Sequence, residues 1–237
     1  MDFLRSGDSA LFVRTGNNTE TELSASNKTL ADLIIDAGSA GIIESVSSYT
    51  GVMVYFDPLV TSYDAVRSIA RTAAGNLKEQ KVSSDSPGLI IPVAYGGDYG
   101  PDLQYVADHC SLTRSEVASI HSSGKYTIHL LGFTPGFPYM GGMDPGLSTP
   151  RKKEPAINIQ AGSVGIAGDQ TGIYPVDSPG GWQIIGRTPL ILFDQDRDPA
   201  FLLKAGMRVR FRSVDNYEFW HICELINNDE YEPETFG

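Results

Sequence analysis

Nowhere in this chain do about eighteen apolar residues run together, and the opening MDFLRSGDSALF lacks a basic stretch leading into an apolar one. The expectation is a cytoplasmic protein with no membrane partner. Cations are also scarce, 18 Lys and Arg against 29 Asp and Glu, for a formal net charge of -11. That balance argues against a nucleic-acid surface, which needs Lys and Arg to meet phosphate. Cysteine is limited to Cys110 and Cys223, far apart and without a CxxC neighbour, so reduced thiols fit better than a disulfide. Three signatures are missing as well: G-x-x-x-x-G-K-S/T, a strict G-x-G-x-x-G, and H-E-x-x-H. Any nucleotide or metal is therefore held by less familiar means.

What is present is a globular composition, 41% apolar and 20% charged over 237 residues, enough for one large domain or two modest ones. The first third reads as β-α-β-β-α-β. SALFVRT alternates, and Leu30, Leu33, Ile34 and Ala37 share a helical face that Gly38 closes. GIIESVSS and TGVMVYFD form a strand pair, Thr61 with Asp64 opens a second helix, and GLIIPVAY is the next strand. This order suits a ferredoxin-like α+β domain over residues 1–85.

The Ser/Pro/Gly-rich KVSSDSPG, residues 81–88, marks a boundary. Two short helices follow, PDLQYVADH with Pro101 at a first helical position and TRSEVASIHS with Thr113 and Glu116 at capping-box spacing. Then come short β segments: YTIHLLGF, SVGIAG, TGIYPV, GWQIIGRT, LILFD, RVRFRSV and YEFWHICEL. Such regular short strands point to a barrel or sandwich over 86–226. Residues 227–237 read as an acidic, mobile tail.

Two stretches stand out, GFTPGFPYMGGM from Gly132 and SPGGWQIIGRTP from Ser178. Glycines, prolines and aromatics crowd them together, so the loops must rest on the core or on a ligand. GFTPG is not a nucleophile elbow, because Pro135 lacks the N–H that an oxyanion needs. His109, His129 and His221 sit in structural settings, whereas His121 ends a helix just before the first loop and is a candidate for proton transfer. Arg151 and Arg187 follow the two loops, as surface ion pairs or as forks for carboxylate or phosphate.

The ordered motifs IPVAYGGDYGPDLQYVADHCSLTRSEVASIHSSGKYTIHLLGFTPGFPYMGGM, STPR, AGSVGIAGDQTGIYPVDSPGGWQIIGRTPL and RVRF resemble the KipI/PxpB family, also called allophanate hydrolase subunit 1. The resemblance is most specific from Ile91 to about Arg212. It implies a ferredoxin-like N-terminal domain and a cyclophilin-like β-barrel C-terminal domain. It also implies the B subunit of an ATP-dependent 5-oxoprolinase-like complex, with ATP and Mg²⁺ handled together with a KipA/PxpC-type protein, and a LamB/YcsF-type protein completing the ring opening. No Met-Lys biotin site occurs, so no biotin is carried on this chain.

On this resemblance the catalytic candidates are His121, Arg151 and Arg187, and the substrate-binding candidates are Tyr126, Phe133, Phe137, Tyr139, Gln170 and Trp182. Asp169 and Asp177 are the candidates for a metal contact. Two rival activities share the family: inhibition of a sensor histidine kinase, and a role in a hydrolase or carboxyltransferase for a urea derivative or another amide. The chain departs from its relatives at INIQAGSV, where Asn158 and Gln160 stand at positions commonly Arg and Pro. One cation of the expected anion site is thereby missing.

Overall fold

The computed structural model describes residues 1–16, 21–77 and 87–237, so residues 81–86 of the Ser/Pro/Gly-rich stretch lie outside it. The chain divides into two compact units, Met1–Ser84 and Asp85–Gly237.

The first unit contains β1 (Asp2–Arg5), β2 (Ala10–Arg14), α1 (Thr21–Asp36), β3 (Ile42–Ser47), β4 (Gly51–Phe56) and α2 (Tyr63–Asn76). Its strands form one antiparallel sheet in the order β1-β2-β4-β3. Alternation sends Leu11, Val13, Val52, Val54 and Phe56 to one face, where Leu30 and Ile34 of α1 and Val66, Ala70 and Ala73 of α2 cover them. The cap of α2 is Ser62, one residue beyond the expected Thr61, and its hydroxyl accepts from the Ala65 amide at 3.3 Å.

The second unit contains β5 (Gly88–Tyr95), α3 (Leu103–Cys110), α4 (Arg114–Ser123), β6 (Tyr126–Leu131), β7 (Pro138–Gly141), β8 (Ala156–Ile159) and β9 (Ser163–Ala167). It continues with β10 (Gln170–Ile173), β11 (Ser178–Gly180), β12 (Gln183–Arg187), β13 (Arg208–Ser213), α5 (Asn216–Asn227) and β14 (Thr235–Phe236). Seven strands run β12-β9-β10-β7-β6-β13-β5, and β5 pairs again with β12 to close a barrel. Ile91, Val93, Ile128, Met140, Val164, Ile166, Ile185 and Val209 are among the buried residues of its core. Val106 of α3 and Val117 of α4 join the same core. The Thr113–Glu116 capping box of α4 forms as its spacing predicts.

Four sequence expectations change. GLIIPVAY does not end the N-terminal order: it is β5, paired with β12, β13 and β14. Leu89, Ile91, Val93 and Ala94 are all buried, a run that needs cover on both faces, while the sheet edge beside β2 is taken by β1. YEFWHICEL is not a strand but lies in α5, whose first turn is capped by Asp215 accepting from the Glu218 amide at 2.8 Å. LILFD is reduced to one bridge between Phe193 and Phe201. The C-terminal tail is docked: β14 pairs with β5, and Glu234 meets Arg212 at 2.9 Å.

Candidate active site

The first glycine-rich loop is a tight connection from β6 into β7. The Gly132 amide donates to Phe137 O and the Phe137 amide to Thr134 O, both at 3.1 Å. Within it Phe133 has φ +71° and is 64% exposed. A bulky residue is strained there, and with its ring mostly in water, touching the protein edge-to-face at Phe137 with centroids 5.8 Å apart, little burial offsets that strain. Phe137, by contrast, is buried at the centre of an aromatic cluster, with ring centroids 4.9 Å from Tyr139, 5.1 Å from Tyr174 and 5.2 Å from Trp182. Most of these pairs are edge-to-face, the arrangement that ring quadrupoles favour.

The glycines make room for these rings. A Cβ on Gly172 would lie 2.9 Å from the Phe137 ring, and one on Gly180 would lie 2.2 Å from the Tyr174 hydroxyl. The crowding of glycine and aromatics in the sequence is thus a packing requirement.

Phe133, Phe137, Tyr139, Tyr174 and Trp182 wall a cavity of about 300 Å³, with Pro155, Pro179, Gly180 and Gly181 completing it. Arg151 is its one charged lining residue among the described residues, with its guanidinium carbon 6.0 Å from the Trp182 ring centroid. Burial raises the Tyr139 hydroxyl, opposed by the Arg151 charge, and pushes Tyr174 up to about 12. Both phenols stay protonated at neutral pH and can donate hydrogen bonds.

Five of the nine sequence candidates therefore meet in this cavity: Arg151, Phe133, Phe137, Tyr139 and Trp182. The other four lie elsewhere. His121 is fully buried in the barrel, with Nδ1 2.7 Å from the Tyr95 hydroxyl and Nε2 2.9 Å from Thr171 Oγ1. Burial lowers its pKa to about 3, so its ring is neutral at working pH. The buried Tyr126 donates its hydroxyl to His121 O at 2.7 Å. Gln170 opens β10 opposite Ala167.

Arg187 lines a different cavity, of about 220 Å³, beside Trp220 and Cys223. Its guanidinium donates to Ala161 O at 2.9 Å and to Gln160 Oε1 at 2.6 Å. Gln160, one of the family departures, thus serves as its acceptor. Asp177 accepts from the Ala161 amide at 2.7 Å, and the charge of Asp169 acts on His129.

Tyr174 joins this wall although its sequence setting, TGIYPV, reads only as a short β segment; Phe133, Phe137, Tyr139 and Arg151 reach it from parts of the chain more than twenty residues earlier. A larger cavity, about 560 Å³, opens beside Arg197, but that guanidinium already donates to the carbonyls of Ile191 and Pro199.

Comparison with known proteins adds an independent line. The model of the carboxyltransferase domain, subdomain C and D, matches residues 1–203. The 5-oxoprolinase B subunit of Bacillus subtilis (strain 168) is 38% identical over 232 residues, covering 93% of this chain and 96% of that protein. The protein of the same name from Escherichia coli O157:H7 is 42% identical over 183 residues, covering 77% and 82%. Among solved structures, TTHA0988 superimposes with a TM-score of 0.76 at 32% identity over 87% of this chain, which spans only 40% of that longer one. The urea amidolyase of K. lactis shares the fold, with a TM-score of 0.79 at 21% identity, over 99% of this chain and 16% of that one.

Proposed function

Because the chain belongs to the carboxyltransferase subdomain C and D family, in its KipI/PxpB branch, we propose that it is the B subunit of an ATP-dependent 5-oxoprolinase-type complex, with the aromatic pocket as its share of the substrate site. The observation that carries the pocket's role is a single guanidinium, with no carboxylate lining the cavity among the described residues, above a Trp ring and two protonated phenols. The strand order of the first unit supports a permuted ferredoxin-like arrangement, and the closed seven-stranded barrel supports a cyclophilin-like one.

Fit to the implied nucleotide and magnesium is poor in this pocket. No carboxylate lines it among the described residues, and magnesium takes oxygen ligands that include carboxylates. Nor is Gly180 part of a phosphate cradle, since the Tyr174 hydroxyl already fills the space of its missing Cβ. We therefore assign the nucleotide and its metal to the KipA/PxpC-type partner in the complex. When bound there, they would convert the lactam oxygen into a leaving group, because an amide by itself is a poor electrophile.

This chain's own residues bind and orient. Arg151 forks onto the carboxylate of 5-oxoproline, the apolar faces of Phe137 and Trp182 hold its ring, and a phenol of Tyr139 or Tyr174 donates to the lactam oxygen. Excluding water strengthens each of these contacts. His121, neutral and enclosed among Tyr95, Thr171 and Phe211, braces the barrel interior and does not exchange protons with substrate.

The test is phosphate release dependent on 5-oxoproline, measured with this chain alone and with its KipA/PxpC-type partner. Turnover is expected only with both. Arg151→Lys keeps charge but loses the fork, and should cost about 1.5–3 kcal/mol in kcat/KM with the melting temperature unchanged. Strong turnover by the chain alone, or an unaffected Lys variant, would overturn the reading.

A further inference from the structure

We infer that Asp102, which is not in the pocket, is the positioning residue that holds Arg151 above Trp182. Asp102 occupies the N-cap of α3, where an aspartate normally accepts from its own helix, yet it makes no capping bond. Its Oδ2 instead accepts from the Ile184 amide at 2.7 Å and meets Lys152 Nζ at 2.6 Å. The Asp102 amide donates back to Ile184 O at 2.9 Å. The ion pair is largely enclosed, with side chains 18% and 23% exposed, so both charges need each other and the bonds around them.

The neighbours of Arg151 are tied to the neighbours of Trp182. Lys152 donates its amide to Gly181 O at 2.7 Å, and Gln183 donates its side-chain amide to Pro150 O at 2.9 Å. Asp102 joins Lys152 to Ile184 and completes the clamp. Arg151 itself makes no hydrogen bond or ion pair with the described residues, so its place is set by Pro150 and Lys152 on either side. Asp102 has a second effect: it neutralises Lys152, which leaves Arg151 as the net cation at the pocket. A ligand anion then meets one pre-placed guanidinium and not two competing cations.

The chain has two tryptophans, Trp182 and Trp220, so a Trp220→Phe background makes Trp182 the single fluorescent reporter. In that background acrylamide quenching of Trp182 should rise in Asp102→Asn and in Lys152→Met to the level of Arg151→Ala, while Lys152→Arg keeps the parent value. Asp102→Asn retains an acceptor for the Ile184 amide; if it fails to fold, Lys152→Met carries the test. Parent-level quenching in these variants, or no rise in Arg151→Ala, overturns the inference.

The activity arm rests on the proposed function. With the partner present, Asp102→Asn should raise KM for 5-oxoproline about tenfold with a much smaller change in kcat, and Lys152→Arg should behave as wild type. A quenching change without 5-oxoproline turnover by the wild-type complex defeats the substrate reading and leaves the positioning role standing. Unchanged quenching defeats the positioning role whatever the turnover.

Discussion

His121 has a defined tautomer. Thr171 Oγ1 donates to Gly165 O at 3.0 Å, so it must accept from His121, and the ring proton sits on Nε2. Nδ1 is then the acceptor for the Tyr95 hydroxyl. The Phe211 ring, with its centroid 4.5 Å away, covers one face, and the imidazole is fully buried.

A folded-state pKa near 3 against 6.5 in the unfolded chain has one sign: the unfolded chain takes up the proton first as pH falls. Stability from this residue is complete above about pH 6.5 and drains away toward pH 3, by about 2 kcal/mol between pH 7 and pH 5. Urea denaturation of wild type and His121→Gln at both pH values checks this. The variant should be less stable at pH 7, with a pH dependence shallower by that amount. Equal slopes would mean that His121 titrates normally.

At this scale composition pointed to part of the pocket's lining. Phe133, Tyr139, Trp182 and Arg151 lie in or beside motifs whose glycines and rings are unusual for loops. Asp102 is not legible there: its amide partner Ile184 is 82 residues away, and an aspartate before a helix reads as an ordinary cap. The enclosure of His121 was equally hidden, since sequence places it at a helix end without saying what closes over it.

Among the elements, alternation located β2, and short apolar stretches split by Gly and Pro located β3, β4, β6, β9, β10, β12 and β13, some of which, such as β9, are buried on both faces and show no alternation. β7 was hidden inside a Gly/Pro-rich loop motif, and its four residues are too few for alternation to register. In α5 the aromatic and β-branched residues Tyr217, Phe219, Trp220 and Ile222 mimic a strand, but only Phe219 and Ile222 are buried, and Asp215 sets the helical start.

The element that sequence misjudged most is β14, whose acidic surroundings suggested a free tail. Phe236 packs where Gly88 has no side chain, with a Cβ there falling 2.2 Å from the ring, and the Arg210 guanidinium lies 4.2 Å from its centroid. The Ile90 amide donates to Glu234 O at 2.8 Å. Phe236→Ala should therefore lower stability by about 1–2 kcal/mol, from lost apolar burial and the lost cation–π contact. Denaturant midpoints, together with faster hydrogen exchange at the Ile90 amide, would register it. No change in either would mean that the strand contributes nothing.

For the molecule as a whole, the two units have separate cores. Leu11, Leu30, Ile34, Val54 and Phe56 belong to one cluster, and Ile91, Ile128, Val164, Ile185 and Val209 to another. A chain beginning at residue 86 should accordingly melt cooperatively by circular dichroism. A broad, uncooperative melt would show that the barrel core depends on the N-terminal residues.

The parallel pairing of β5 with β13, Leu89 beside Val209, sets an order of events in time. The N-terminal sheet joins strands near one another along the chain and can assemble as soon as α2 has been made. The barrel cannot: β5 is made well before β12 and β13, the strands that flank it in the closed barrel. Until then β5 is an apolar strand with open edges, the kind of surface that chaperones recognise and that aggregates when left exposed. Long-range pairing of this kind also slows folding, since a long loop must close before any bond rewards it. Nascent chains that stop short of Arg208 would thus be liabilities to the cell, and synthesis of β13 would be the step that covers the open edge.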